Sequence, residues 1–198
     1  RLAGINGSNF HLSNVPFGFE SYTWRPNFLW RPTFPYFYMQ GRDPANYPGA
    51  LIDLPENTLG LPYAMPSLVF LSALAAVFAL SRWPAARLPI AVLTAGMAPM
   101  AAALFAAIAV SQRYTADFVP FLLATAAFGL AALATLPSPP RRILSGVAGI
   151  LTLVAIFVTL ALTLHYQGEG VWGVPDDVKA HYLALRQTMD HFLGLSSR

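Results

Sequence analysis

The stretch Ser111-Gln112-Arg113-Tyr114-Thr115-Ala116-Asp117 lies between two apolar runs, Leu88 to Val110 and Phe118 to Leu136. Each run is about 20 residues long, which is what a helix needs to cross ~30 Å of hydrocarbon. The short polar link therefore reads as a turn at one face of a membrane, joining two spanning helices. It is also the one place in the central block where an acid and a base stand close together.

Composition agrees. Of 198 residues, 56% are hydrophobic and 11% charged, against about 25% charged in a soluble domain. Several membrane spans produce such a deficit. The net charge of +3 is scattered, with no basic stripe to track phosphates, so nucleic acid is not an expected partner. The chain has no Cys, which removes disulfides, thiolate metal sites and Cys nucleophiles. Lys179 is the only lysine among 12 basic residues, and Ala is abundant; both point to a GC-rich bacterial genome. The chain begins at Arg1 with no charged-then-apolar leader. The expectation is the C-terminal part of a longer multi-pass protein, with further helices upstream.

The expected fold is all-α. Residues 1–61 form an irregular aromatic and Pro-rich segment, 62–165 a four-helix transmembrane domain, and 166–198 a tail with an amphipathic helix. In the first segment Trp24-Arg25-Pro26 and Trp30-Arg31-Pro32 forbid a long helix, because the residue before each Pro is pushed to extended geometry. Its aromatics have two readings: a sugar- or lipid-stacking surface with Trp and Tyr at headgroup level, or plain packing against the membrane domain. Asn6-Gly7-Ser8 matches a glycosylation sequon, a pattern common by chance.

The four spans are Pro62 to Leu80, Leu88 to Val110, Asp117 to Leu136, and Ile143 to His165. Pro62 and Pro66 fall in the opening turns of the first, where a missing N–H costs little. Pro99 predicts a kink in the second, and Ala101, Ala102, Ala103, Ala106 and Ala107 give it a low-profile face. Ser145 and Gly149 do the same in the fourth. The link Pro137 to Arg142 and the run Gly168-Glu169-Gly170 read as breaks. A last helix over Asp176 to Leu193 carries one apolar stripe, Val178, Tyr182, Leu185, Met189 and Phe192. Asp176 and Asp177 suit its start and Gly194 its C′ position. Too charged to span, it is expected on the membrane surface or against residues 1–61.

Two links, 81–87 and 137–142, hold Arg82, Arg87, Arg141 and Arg142 and no acid. Short Arg-rich loops stay cytoplasmic. Residues 1–61, the 111–117 link and the tail are then extracytoplasmic, in the inner (plasma) membrane of a bacterium, and converge on one outer face.

Arg113 and Asp117 share a face if a helix starts at Ser111, and can then pair. Asp117 can instead cap the third span, with Arg113 a headgroup anchor. The functional alternative is that Arg113, Tyr114 and Asp117 bind the phosphate of a lipid carrier, Arg offering a forked, permanently charged donor set. His11, His165, His181 and His191 lack metal-ligand spacing and read as interfacial or surface side chains. No cofactor motif and no Ser-His-Asp order is visible. No ionisable residue lies deep in a span, which counts against a transport path.

The segment Gln112-Arg113-Tyr114-Thr115-Ala116-Asp117-Phe118-Val119-Pro120 resembles an Arg-Tyr-x-x-Asp-Phe-x-Pro pattern in the C-terminal halves of large bacterial multi-pass proteins. Glu56-x-x-x-Gly60-Leu61-Pro62-x-x-Met65-Pro66 fits the same picture. These proteins are similar to membrane glycosyltransferases of the GT-C type, which use polyprenyl-phosphate sugars, and the resemblance covers residues 56–136. It implies a catalytic acid in an early outward loop, and no position here matches it. This piece would supply later helices and part of the surface that holds a polyprenyl-phosphate sugar. A non-catalytic scaffold binding a partner through its outward loop is the alternative, and a transporter fragment the third.

Overall fold

The computed structural model describes residues 7–41, 43–168 and 173–195, without the side chains of 166–168. Helices dominate. α1 is Val15–Thr23, α2 Leu61–Ala64, α3 Pro66–Ser81, α4 Arg87–Ala106, α5 Val119–Ala134, α6 Ser138–Gly168 and α7 Asp176–Phe192. Two small sheets join them. β1 (Phe28–Trp30) and β2 (Phe37–Met39) form an antiparallel hairpin with Leu29 opposite Tyr38. β3 (Leu54–Pro55) pairs in parallel with β4 (Ala109–Val110).

Among the described residues three stretches are long and apolar enough to cross a membrane: Pro84–Ala106, Gln112–Ala134 and Ser138–His165. The first expected span is divided. Met65 takes φ −135° and ψ 54° between α2 and α3, because Pro66 pushes the residue before it out of the helical region. The remaining 16 residues of α3 cover roughly 24 Å at 1.5 Å per residue, short of the ~30 Å hydrocarbon core. The second span stops at Ala106 instead of Val110, because the next residues turn extended to pair with Leu54 and Pro55. The third starts with a 3-10 helix, Gln112–Phe118, ahead of α5. In the fourth, Pro139 and Pro140 do not break the helix. They occupy its first turn, where no backbone N–H is needed.

Residues 7–60 hold more order than an irregular loop. α1 approaches α4 so closely that a Cβ on Gly18 would overlap the Phe105 backbone. His11 N–H donates to the Ala106 carbonyl at 2.8 Å, Ile108 N–H to Asn9 at 3.0 Å and Asp53 N–H to Ile108 at 2.7 Å. The fully buried Asn14 finishes the seam. Its Nδ2 donates to the carbonyls of Ala106 and Ala107 at 3.2 and 3.3 Å, and its Oδ1 accepts Leu51 N–H at 2.7 Å. The C-terminal carbonyls of α4, orphaned by the helix geometry, thus find donors.

Two of the three core clusters lie where this segment meets the helix ends. One gathers Phe17, Tyr22, Ile52, Leu61, Val110, Phe118 and Leu122; the other gathers Phe37, Met39, Leu59, Ala64, Val158, Ala161 and Leu162. Burial of each large apolar side chain in them contributes about 1.5–3 kcal/mol. The third cluster, Leu71, Ala126 and Leu133, lies between α3 and α5. There Ser72 Oγ and Thr125 Oγ1 are 2.7 Å apart, the kind of small and hydroxyl contact that holds helices together in lipid. By contrast no residue of α4 is fully buried, and Ser145 and Gly149 of α6 are exposed.

α7 follows its sequence closely. Gly194 has φ 69° and donates to His191 O, while Leu195 N–H reaches Asp190 O at 2.7 Å, the paired bonds of a Schellman cap. The helix docks on residues 33–38. Phe34 N–H donates to Asp190 Oδ1 at 2.7 Å, and Arg186 Nη2 donates to Thr33 Oγ1 at 3.1 Å. Of the expected stripe only Tyr182 is fully buried; Val178, Leu185 and Phe192 stay exposed. The docked face is rotated toward Arg186 and Asp190. Asn6 and Glu169 lie outside the described residues.

Candidate functional site

The 3-10 helix Gln112–Phe118 sits at the end of the helices where residues 7–60 and α7 also gather. Chain course puts Arg82, Arg87, Arg141 and Arg142 at the opposite end of α3–α6. There Arg87 donates to the Ala79 and Leu80 carbonyls at 2.8 and 2.7 Å, capping α3. The three polar segments expected on one face are together at one end, and the arginine-bearing links are at the other.

Ser111 is the hub of this end. Its N–H donates to the Tyr22 phenol oxygen at 3.1 Å, and its hydroxyl donates to Glu56 Oε2. Gln112 Oε1 accepts Leu59 N–H at 2.6 Å, and Thr115 Oγ1 donates to Gln112 O at 2.7 Å. Burial pushes the Tyr22 phenol well above its ordinary value, and the Ser111 backbone bond opposes the shift without cancelling it. Tyr22 is therefore neutral at any physiological pH, and the phenol serves as an oriented hydrogen-bonding group.

Arg113 and Asp117 are exposed and Tyr114 is half-buried. The Arg113 guanidinium lies over the Tyr114 ring, 5.3 Å from its centroid. Among the described residues no ion pair joins Arg113 to Asp117. The reason is local: a 3-10 helix turns every three residues, so positions four apart diverge by about a third of a turn. Asp117 does not cap α5 either. Phe118 is the N-cap and no side chain bonds there.

Two cavities flank this end. One, of about 510 Å³, is lined by Ala64, Met65, Gln112, Thr159, Leu162, Thr163 and Val174. Met65 is part of its wall, and the polar residues that line it are Gln112, Thr159 and Thr163. Arg113 follows Gln112 in the chain but does not line it. The other, of about 540 Å³, lies between the hairpin and α6. His165 departs from its expected surface position. It is buried, its ring edge-on to Tyr38 at 5.5 Å, because β2 and α7 close over the end of α6. Among the described residues no group of three His, Cys, Asp or Glu could hold a metal.

Sequence reasoning passed over Tyr22 and took Ser111 only as the start of the polar link. Only the long-range pairing of β3 with β4 brings Glu56 and Ser111 together, and no spacing rule could show it. Taken together, the long apolar helices with their exposed apolar faces define a helical, membrane-embedded protein. Comparison with protein-family models, with curated proteins and with solved structures finds no match.

Proposed function

We propose that this chain is the membrane portion of a glycosyltransferase-like protein that acts on a lipid-linked sugar. The working end is the one built from residues 7–60, 107–118 and α7, and by the arginine distribution it faces away from the cytoplasm. α2 and α3 together make a fourth, interrupted crossing. The carrying observation is the exposed Arg113 guanidinium, without an ion-pair partner among the described residues, next in the chain to Gln112, which lines a largely apolar cavity. An anionic headgroup on a hydrocarbon tail fits such a pairing of donor and groove. Tyr114 and Asp117 flank the phosphate and sugar. The Glu56–Ser111–Tyr22 cluster holds the rim in shape beneath them.

The test is binding of a short-chain polyprenyl-phosphate sugar to the purified full chain, with Arg113→Ala and Arg113→Lys. Loss of a charge-assisted contact worth about 1.5–3 kcal/mol weakens binding about 10-fold or more, with Lys partly restoring it. Unchanged binding in Arg113→Ala would overturn the proposal, and loss of folded protein would make Arg113 an anchor.

A non-catalytic scaffold is the second reading. It is favoured by large apolar side chains exposed on the polar segment, among them Leu12, Trp24 and Leu54, and it predicts no lipid-phosphate binding at all. A transporter fragment stands third.

A further inference from the structure

Residues 28–39 belong by composition to the polar end, yet they do not stop at the helix tips. Trp30 stacks on Phe157 of α6, with ring centroids 6.2 Å apart and planes 10° from parallel. Phe157 lies eight residues before His165, the last residue of the apolar stretch, which is roughly 12 Å along the helix. The hairpin therefore reaches down beside the part of α6 that is apolar and exposed. Trp30 is 64% exposed and Leu29 38% exposed at this depth, where water-facing aromatics would be costly and interfacial ones are favoured.

Between hairpin and α6 lies the crevice of about 540 Å³, walled by Phe28, Trp30, Phe37, Tyr63, Val154 and Phe157 among others. Among the described residues no charged side chain lines it. Its α6 wall is continuous with the exposed Ile150, Leu153 and Leu160, the surface that faces hydrocarbon in a spanning helix. Phe28, Phe37 and Tyr63 brace the floor through ring contacts at 5.0 and 5.7 Å.

We propose that the β1–β2 hairpin is embedded in the interfacial layer of the leaflet at its end, and that the crevice holds one acyl chain of a bilayer phospholipid. The hairpin is then a membrane anchor. Its two paired strands satisfy one edge of each other, and the other edges stay at headgroup level, where water still reaches the backbone. The occupant is a bulk lipid and not the substrate proposed above, whose headgroup site is at Arg113.

The test uses the full chain with Trp24→Phe, Trp83→Phe and Trp172→Phe, leaving Trp30 as the sole indole, in phosphatidylcholine vesicles. Phosphatidylcholine brominated on an acyl chain either near the glycerol or near the chain end is then mixed in. Trp30 emission is expected to be blue-shifted and quenched most by the shallow bromines. Adding Val154→Trp in a second protein that has Trp30→Phe places an indole inside the crevice, and bromine near the chain end should quench it. An unquenched, water-like Trp30 overturns the embedding. A Trp30 that is quenched beside an unquenched Trp at 154 overturns the bound chain. Far-UV circular dichroism confirms that each protein is folded, and Phe157→Trp in place of Val154→Trp gives the same readout should the Val154 variant fail to fold. Neither result depends on Arg113.

Discussion

Gly129 of α5 lies against the Leu71 carbonyl of α3 with no room for a Cβ between them. This contact lets the two helices share the cluster of Leu71, Ala126 and Leu133 and aligns Ser72 with Thr125. Gly129→Ala should push the helices apart and cost about 1–3 kcal/mol, the usual penalty of overpacking. The thermal midpoint in detergent measures it. Gly146→Ala, with nothing within 4 Å of the added carbon, serves as the control and should leave the midpoint nearly unchanged.

Asn14 joins α4 to the loop at Leu51 through three hydrogen bonds. Asn14→Asp removes the two donors and turns a carboxylate toward two carbonyls; Asn14→Ala takes the Asn14 bond from the Ala107 carbonyl and the Leu51 N–H, while the Ala106 carbonyl keeps His11 N–H. Unsatisfied buried groups cost about 1–3 kcal/mol each. Hydrogen exchange should quicken across residues 7–60 in both variants while α3 and α5 keep their protection.

Tyr22 titrates in the unfolded chain near 10.0 and higher than that in the folded one. A raised pKa means that its share of stability is whole below about pH 10 and is lost as the pH climbs from there through the folded value. Alkaline denaturation of the wild type should therefore steepen above pH 10. In Tyr22→Phe that steepening should shrink, although the variant starts less stable for want of the phenol bonds to Ser111.

Gly194 closes the Schellman cap of α7 at φ 69°. Ala at this position should cost about 1 kcal/mol, because a Cβ is disfavoured in the left-handed region. The expected effect is fraying near Asp190, seen as faster exchange at Phe34, whose N–H donates to that side chain.

Arg113 and Asp117 make no contact on which folding depends. Arg113→Ala and Asp117→Asn should each change stability by less than about 0.5 kcal/mol, as exposed sites do. Thermal midpoints check this independently of any ligand.

Periodicity and punctuation carried the reading of α7, from the stripe at Tyr182 to the stop at Gly194. They carried the gathering of the polar segments too, since antiparallel connection of apolar helices fixes which links share an end. Elsewhere local rules met tertiary ones. The apolar run to Val110 read as helix because hydrophobicity does not distinguish a span from a strand; its last residues pair with Leu54 and Pro55 instead. The break at Met65 was legible in Pro66, yet a first-turn proline and a helix-dividing one look alike until the chain before them is placed. The i,i+4 spacing of Arg113 and Asp117 presumed an α-helix, and the 3-10 turn defeats it. At the candidate site, Glu56 and Ser111 were both in view, but nothing in the sequence paired them.

The parallel ladder of β3 with β4 ties Glu56 to the strand that emerges from α4, with Glu56 N–H on Val110 O at 2.9 Å. Four residues, 107–110, separate the last turn of α4 from the end of the strand that holds Glu56, so the position of that helix end sets where the carboxylate stands.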